Sequence, residues 1–239
     1  FFINGDGKLT LMMDEFNGEG WQTVLTTSTA VPYNQWAHVG LVKNDDNVSV
    51  YINGEFCGSG TVGIWQWWAW SASSNMRLGG SLISGTFKGK MDEVRFWNTA
   101  RSASQIRENM MKALAGNEAG LDAYYRMDEG SGTAVYDLTS NVINGTMMNM
   151  DAATDWVSSD AFNTWIGGES TDWANTANWG LSIAPTASHN VGLYKWNLGN
   201  ECTISGSPTV NNMLLSSTAT QVLSSDFTVN GSLLVEKNT

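Results

Sequence analysis

The stretch 34–60, "NQWAHVGLVKNDDNVSVYINGEFCGSG", decides how the rest of the chain is read. "WAHVGLVK" (36–43) is a β-rich run, "NDDN" (44–47) a polar turn, and "VSVYI" (48–52) a second β run. Asn53-Gly54 follows, and "EFCGSGT" leaves it. Asn-Gly between two β runs is the strongest short hairpin signal, because a tight I′ turn needs positive φ at both central residues. The spacing predicts strand, turn, strand, Asn-Gly turn, strand.

The same pattern continues in both directions. "GKLTLMMD" (7–14), "WQTVLTTST" (21–29) and "FKGKMDEVRFW" (87–97) read as strands, as do "LDAYYRM" (121–127), "TAVYD" (133–137) and "TMMNM" (146–150). Short β-rich runs punctuated by turn residues indicate an all-β chain. One helix interrupts them. Ser102 and Gln105 form a capping box, in which the hydroxyl caps the first amides and the Gln reaches back. Ile106, Met110, Ala113 and Leu114 then recur at helical spacing, and Gly116 is the expected stop. A single short helix among strands is expected to cover an opening of a sandwich.

With 239 residues the chain can build one large β domain or two smaller ones. Its net charge of −11 leaves no basic patch to offset phosphate, so nucleic acid is excluded as a partner and an anionic membrane surface is disfavoured. No apolar run is long enough to insert across a membrane. The opening "FFINGDGKL" has no signal-peptide pattern and reads as a strand entering a turn, so the chain is expected to begin in mid-fold. Cys57 and Cys202 lie far apart without a C-x-x-C motif, which predicts two buried free thiols. His38, beside Trp36, is expected to be a packed, hydrogen-bonded core residue.

Composition shifts at Phe162. Beyond Pro185 the chain consists of short apolar pieces rich in Ser, Thr and Asn, and it repeats itself. "TVNNMLL" begins at Thr209 and "TVNGSLL" at Thr228, an offset of 19 with five of seven positions identical. A further step back of 19 reaches "NVGLY" at Asn190. A period near 20 in Asn- and Gly-punctuated β sequence predicts a parallel β-solenoid, in which each coil buries its apolar face against the next.

Taken with "MRLGG" and "FKGKMDEVRFWNTARSASQIRENM", the opening stretch resembles the laminin-G-like domains of the concanavalin A-like jelly-roll superfamily. The W-x-H-V strand, the Y-I-N-G hairpin, the L-G-G strand, the G-x-x-D-E-V-R-x-W strand and the capped helix follow in that family's order. The segment "AGLDAYYRMDEGSGTAVYDLTSNVINGTM" is similar to one that flanks such domains in large bacterial surface proteins. The pattern of Trp165, Gly167, Ser170 to Trp173, Asn178-Trp179 and Pro185-Thr186 resembles a module of secreted Bacteroidetes-type surface adhesins. The resemblance implies a concanavalin A-like jelly-roll β-sandwich over 1–161 and the start of a parallel β-solenoid over 162–239. The first is expected to lack its N-terminal strands, and the second to be cut short at its C-terminal end.

Candidate chemistry follows from residue types. A jelly-roll glucanase needs two carboxylates on one cleft. On a strand, carboxylates share a face only at even spacing, and Asp92-Glu93 are adjacent. Asp92 is in phase with Val94 and Phe96 and is expected to turn inward onto loop amides. No nucleophile elbow, P-loop or H-E-x-x-H occurs, so the expected function is not catalysis. Asp137, Asn141 and Asn144 in "DLTSNVING" offer hard oxygens to Ca²⁺, the one cofactor expectation, and laminin-G-like domains often hold calcium. Ser140 and Val142 stand where related loops carry glycine, and a self-satisfied Asx turn is the competing reading.

Trp65, Trp67, Trp68 and Trp70 in "GIWQWWAWSAS" are the ligand-binding candidates. If extended, this stretch carries indole on both faces. Exposed apolar patches more often mark protein contacts, so packing against a neighbouring domain is weighed ahead of a sugar platform. The expectation is a non-catalytic adhesion or carbohydrate/matrix-binding segment of a large secreted or cell-surface bacterial protein. Its expected partners are a glycan or an extracellular surface protein, with self-association as a further partner mode. A structural spacer or filament segment and an accessory module of a carbohydrate-active enzyme are the alternatives.

Overall fold

The structure is a computed structural model that describes residues 1–14, 21–62, 76–80, 86–159, 161–193, 200–215 and 221–235. Its first half is antiparallel. Strands β1 (Phe2–Ile3), β2 (Lys8–Asp14) and β3 (Trp21–Ala30) form one sheet, and β4 (Val39–Asn44), β5 (Asn47–Ile52) and β6 (Glu55–Thr61) a second. The expected Asn-Gly turn is present, with Asn53 at φ +51° and Gly54 at φ +77°. A side chain at position 54 is disfavoured for a second reason: a Cβ there would lie 2.5 Å from Cγ of Arg107, which would have to move.

Alternation along β5 explains how the two sheets meet. Val48, Val50 and Ile52 point inward, where they join Leu9, Leu11 and Leu25 of the other sheet and Cys57 in a single buried cluster. The opposite face of the β4–β5–β6 sheet is covered by helix α1 (Ala103–Met110), whose Ile106 lies over Gly40. Both halves of the Ser102–Gln105 capping box are formed. Strand β7 (Val94–Trp97) precedes the helix and pairs antiparallel with β8 (Leu121–Tyr125). Short β9 (Ala134–Val135) and β10 (Gly145–Thr146) pair beside them.

The helix is shorter than its periodicity implies. It ends at Met110 rather than running to Gly116, because the Arg95 guanidinium takes the carbonyl oxygens of Asn109 and Lys112. Leu114 instead donates its amide to the Tyr124 hydroxyl and packs with Leu121, Tyr124 and Trp97. The strand expected over 87–97 is confined to Val94–Trp97, and that over 146–150 to its first residue.

From Asn163 onward the strands pair in parallel, and the isolated bridge between Trp165 and Trp179 is antiparallel. Strands β11 (Asn163–Thr164), β12 (Asn190–Leu193), β15 (Asn212–Leu215) and β18 (Leu233–Val235) form one ladder in that order. Strand β13 (Cys202–Ile204) pairs with β16 (Gln221–Leu223), and β14 (Thr209–Val210) with β17 (Thr228–Val229). Val191, Leu193, Cys202, Ile204, Val210 and Met213 are enclosed between them. Both cysteines are buried free thiols, and burial followed by the nearby Asp172 charge pushes Cys202 up to about 12.

The repeat pairs in register at its start and slips at its end. Thr209 lies opposite Thr228 and Val210 opposite Val229, the offset of 19 read from the sequence. Beyond the corner, Leu214 lies opposite Leu234 rather than Leu233, so the offset has grown to 20. Three residues, Asn230 to Ser232, turn the corner that Asn211 and Asn212 turn on the preceding coil, and the middle one, Gly231, is tightly enclosed. A Cβ there would sit 2.4 Å from Oδ1 of Asn212, the oxygen that accepts the Ser232 amide at 2.7 Å. The sequence step back to Asn190 is also displaced: Asn190–Leu193 pairs with Asn212–Leu215, an offset of 22. Asn190 fixes that register, because its Oδ1 accepts from the side-chain amides of Asn211 at 3.0 Å and Asn212 at 2.8 Å.

Candidate functional site

Glu93 and Arg95 are two residues apart where the chain enters β7, so their side chains leave on one face. They make a buried pair, with Arg95 Nη2 2.6 Å from Glu93 Oε2 and side-chain exposures of 7% and 13%. The same guanidinium donates to the carbonyls of Asn109 and Lys112, each at 2.6 Å. Tyr124 completes the group: its hydroxyl donates to Glu93 Oε2 at 2.6 Å and accepts the Leu114 amide. Burial, and then the Glu93 carboxylate, push the Tyr124 phenol well above its ordinary value. Glu93 is therefore committed to holding the end of α1. The even E-x-R spacing was the sequence signal for this pair, and sequence reasoning missed it.

Asp92 faces elsewhere. Its Oδ1 accepts the Glu93 amide at 2.9 Å, and its Oδ2 accepts the Ser159 hydroxyl. The expected loop amides are thus replaced by one neighbouring amide and one distant hydroxyl. Burial raises this carboxyl to about 6; the Ser159 bond opposes the rise, while the Glu93 and Asp128 charges add to it. His38 departs from expectation in its ring. Its amide donates to Asn53 Oδ1 at 2.9 Å, but Nδ1 is enclosed without a hydrogen-bond partner among the described residues. Burial, then the Arg95 charge, lowers the ring to about 4, so it is neutral at pH 7.

The structure brings Asp137, Asn141 and Asn144 into one loop, but not as a cation cage. Asp137 Oδ1 accepts the amides of Tyr124 and Thr139, and Oδ2 accepts the Thr139 hydroxyl and the Ile143 amide, all at 2.9–3.0 Å. Four donors fill the lone-pair sites of this carboxylate. Asn144 Oδ1 accepts the Asp137 amide at 3.0 Å, and Asn141 turns its amide nitrogen to the Asp122 carbonyl at 2.8 Å. The calcium expectation does not fit these residues, because a metal would have to displace N–H and O–H donors already in place. Burial acts to raise the Asp137 carboxyl, but the amides of Thr139, Tyr124 and Ile143 and the Thr139 hydroxyl outweigh it and hold it below its usual range. Among the described residues no group of three His, Cys, Asp or Glu side chains is placed to hold a metal ion.

Trp65, Trp67, Trp68 and Trp70 lie outside the described residues. The second tryptophan group is described and is core. Trp165, Trp173 and Trp179 are buried, with Trp179 edge-on to Trp165 at 5.0 Å and to Trp173 at 4.7 Å between ring centres. Their indole nitrogens are satisfied where the ring is deepest: Trp179 Nε1 donates to the Trp173 carbonyl and Trp165 Nε1 to that of Asn200, both at 2.8 Å. Asn178, fully buried, holds the loop by accepting the Glu169 and Ser170 amides. A cleft of about 280 Å³ runs along the seam between α1 and the parallel ladder, walled by Met110, Met111, Met213 and Leu234 and edged by Asn53 and Glu55.

Residues 1–107 match a laminin-G family model described as the concanavalin A-like lectin/glucanases superfamily. This is the class that the hairpin and the D-E-V-R strand point to. Among solved structures, a "putative carbohydrate binding protein" from Bacteroides ovatus is 26% identical with a TM-score of 0.43, over 59% of this chain and 45% of that one. An S-layer domain-containing protein from Clostridium thermocellum is 24% identical with a TM-score of 0.31, over 43% of this chain and 51% of that one. The chain thus spans about half the length of each. No curated protein matches it. Among the described residues no helix is long and apolar enough to cross a membrane.

Proposed function

We propose that the chain is a non-catalytic glycan- or matrix-binding segment of a large secreted or surface-displayed bacterial protein. It divides into a laminin-G-like sandwich over 1–161 and the first coils of a β-solenoid over 162–239. The match of residues 1–107 to a lectin and glucanase superfamily supports a carbohydrate-facing role. What favours holding over bond-breaking is the way three enclosed acids are used. A glycosidase keeps two carboxyl groups free to face one scissile bond. Here Glu93 is neutralised by Arg95, Asp137 accepts four donors, and Asp92 is tied to Ser159. The solenoid reading is supported by three parallel ladders around one apolar core, which after a first step of 28 residues from β11 to β12 advance by 19 to 22 residues per step.

The test is a tryptophan-fluorescence titration against a glycan panel, with wild type and with Trp65, Trp67, Trp68 and Trp70 each changed to Ala. A saturable response lost in at least one of these variants is the expected result. No response to any glycan or matrix protein would overturn the binding reading. Release of reducing sugar from a polysaccharide by the isolated chain would overturn the non-catalytic one.

A further inference from the structure

The turn between β3 and β4 carries Tyr33, which at 88% is the most exposed of the large apolar and aromatic side chains described. Pro32, whose ring fixes its φ, precedes it, and Asn34 follows in the left-handed region at φ +55°. The phenol is therefore held out from a turn of set shape. Two residues after it, exposed Gln35 reaches across to the parallel ladder, where its Oε1 accepts Asn211 Nδ2 at 3.4 Å.

The polarity of these amides is set from the interior. Asn190, only 6% exposed, gives its Nδ2 to the Ala161 carbonyl at 2.9 Å, so its Oδ1 faces the neighbouring coil. That oxygen accepts Asn211 Nδ2 at 3.0 Å, and the same nitrogen gives its second hydrogen to Gln35. Both amide hydrogens of Asn211 are then used. Asn211 Oδ1 and Gln35 Nε2 are left as an acceptor and a donor on adjoining amides; neither they nor the Tyr33 hydroxyl are bonded among the described residues. A sugar hydroxyl both donates and accepts, so a vicinal pair of hydroxyls matches this amide pair, while the apolar face of the sugar ring suits the exposed phenol ring. The segments that supply these side chains, 30–38, 186–193 and 202–213, hold no Asp, Glu, Lys or Arg, in a chain with 23 acidic and 12 basic residues. An anionic ligand finds no cation there and a cationic one no carboxylate, which leaves an uncharged ligand.

We infer that Tyr33, Gln35 and Asn211 form a binding site for a neutral glycan across the seam between the antiparallel half and the parallel ladder. The inference rests on the glycan reading above and deepens it, and it does not involve the tryptophans of 65–70. The experiment is calorimetric titration of the full 239-residue chain with cello-, manno-, xylo- and galacto-oligosaccharides, all neutral, and with hexagalacturonate as the anionic control. Saturable binding of at least one neutral sugar is expected, with hexagalacturonate inert. Tyr33→Ala should weaken it at least about tenfold, as loss of an aromatic anchor does, whereas Tyr33→Phe keeps the ring and most of the affinity. Gln35→Glu still accepts from Asn211 but turns the outward donor into an acceptor, and should cost about fivefold or more. Both residues are exposed, so circular dichroism should show each variant folded. Neutral-sugar binding that Tyr33→Ala leaves unchanged would overturn the inference and leave the glycan reading standing, as would binding of hexagalacturonate alone. Silence toward every sugar would also overturn it; the wider reading falls with it only if the full panel of glycans and matrix proteins is silent too.

Discussion

Arg95→Met tests the best-defined polar group in the structure. The side chain is 7% exposed and makes three hydrogen bonds of 2.6 Å, two to the carbonyls that end α1 and one to Glu93. Methionine fills much of the same volume, so the loss is electrostatic rather than a cavity. Glu93 would be left enclosed with the Tyr124 hydroxyl and with Arg126 3.8 Å away. Removing one partner of a buried pair costs about 3–5 kcal/mol, because the remaining charge keeps its desolvation penalty. Removing both is far less harmful per group, so Glu93→Leu combined with Arg95→Met should be more stable than Arg95→Met alone. The assay is equilibrium unfolding in urea, which unlike guanidinium adds no ions, followed by tryptophan fluorescence and far-ultraviolet circular dichroism. The reasoning fails if Arg95→Met costs less than about 1 kcal/mol, the range of an ordinary surface change. It also fails if the double change costs the sum of the two single changes, since that would mean the groups are not coupled.

Asp92 supplies a pH signature. Its folded value of about 6 lies above the unfolded 3.8, so the native state holds the proton more tightly. That contribution is complete below the unfolded value and is lost as pH rises through the folded one. Asp92→Asn keeps Oδ1 as acceptor for the Glu93 amide and presents Nδ2 as a donor to the Ser159 oxygen, and should melt higher than wild type at about pH 7.5 but not at about pH 3.5; equal melting at both would contradict the assignment. Calcium or EDTA should leave the melting temperature unchanged, whereas Asp137→Ala should lower stability by about 2–4 kcal/mol as four donors lose their acceptor. A calcium-dependent rise in melting temperature would mean that the loop rearranges to admit the ion. Trp179→Ala should cost about 3–5 kcal/mol, detected as loss of near-ultraviolet dichroism from the indole cluster; a cost under about 1 kcal/mol would place this ring outside the core.

Features fixed by local chemistry were legible in the sequence. The Asn53-Gly54 turn and the Ser102–Gln105 box each need particular residues within a few positions, and both formed where their residues stood. What was not legible depended on partners distant in the chain. Nothing within 103–116 says that the helix ends at Met110, because the agent is a guanidinium on β7. The repeat gave its first register correctly and its second wrongly, since aligned letters carry no mark of the extra residue within Asn230–Ser232. The Asp137 loop offers the same oxygens to calcium or to its own amides, and only the fold shows the amides occupying them.

The helix also takes on a wider task than covering one sheet. Its Ile106 lies over Gly40 and its Arg107 reaches the Gly54 carbonyl, both in the antiparallel half. One turn later Met110 and Met111 pack with Leu214 of the parallel ladder, and the Met111 carbonyl accepts the Thr164 hydroxyl at 2.6 Å. The helix ends at this second contact, where Arg95 takes the Asn109 and Lys112 carbonyls on either side of it. Had it continued to Gly116, Met111 would have kept a helical carbonyl and Leu114 could not have reached Tyr124. The buried ion pair thus fixes where the chain leaves the helix, and that exit sets the carbonyl on which the ladder's first strand docks. Loosening of the seam on Arg95 substitution, seen as faster exchange at Thr164 before global unfolding, is the consequence that distinguishes this role from simple loss of stability.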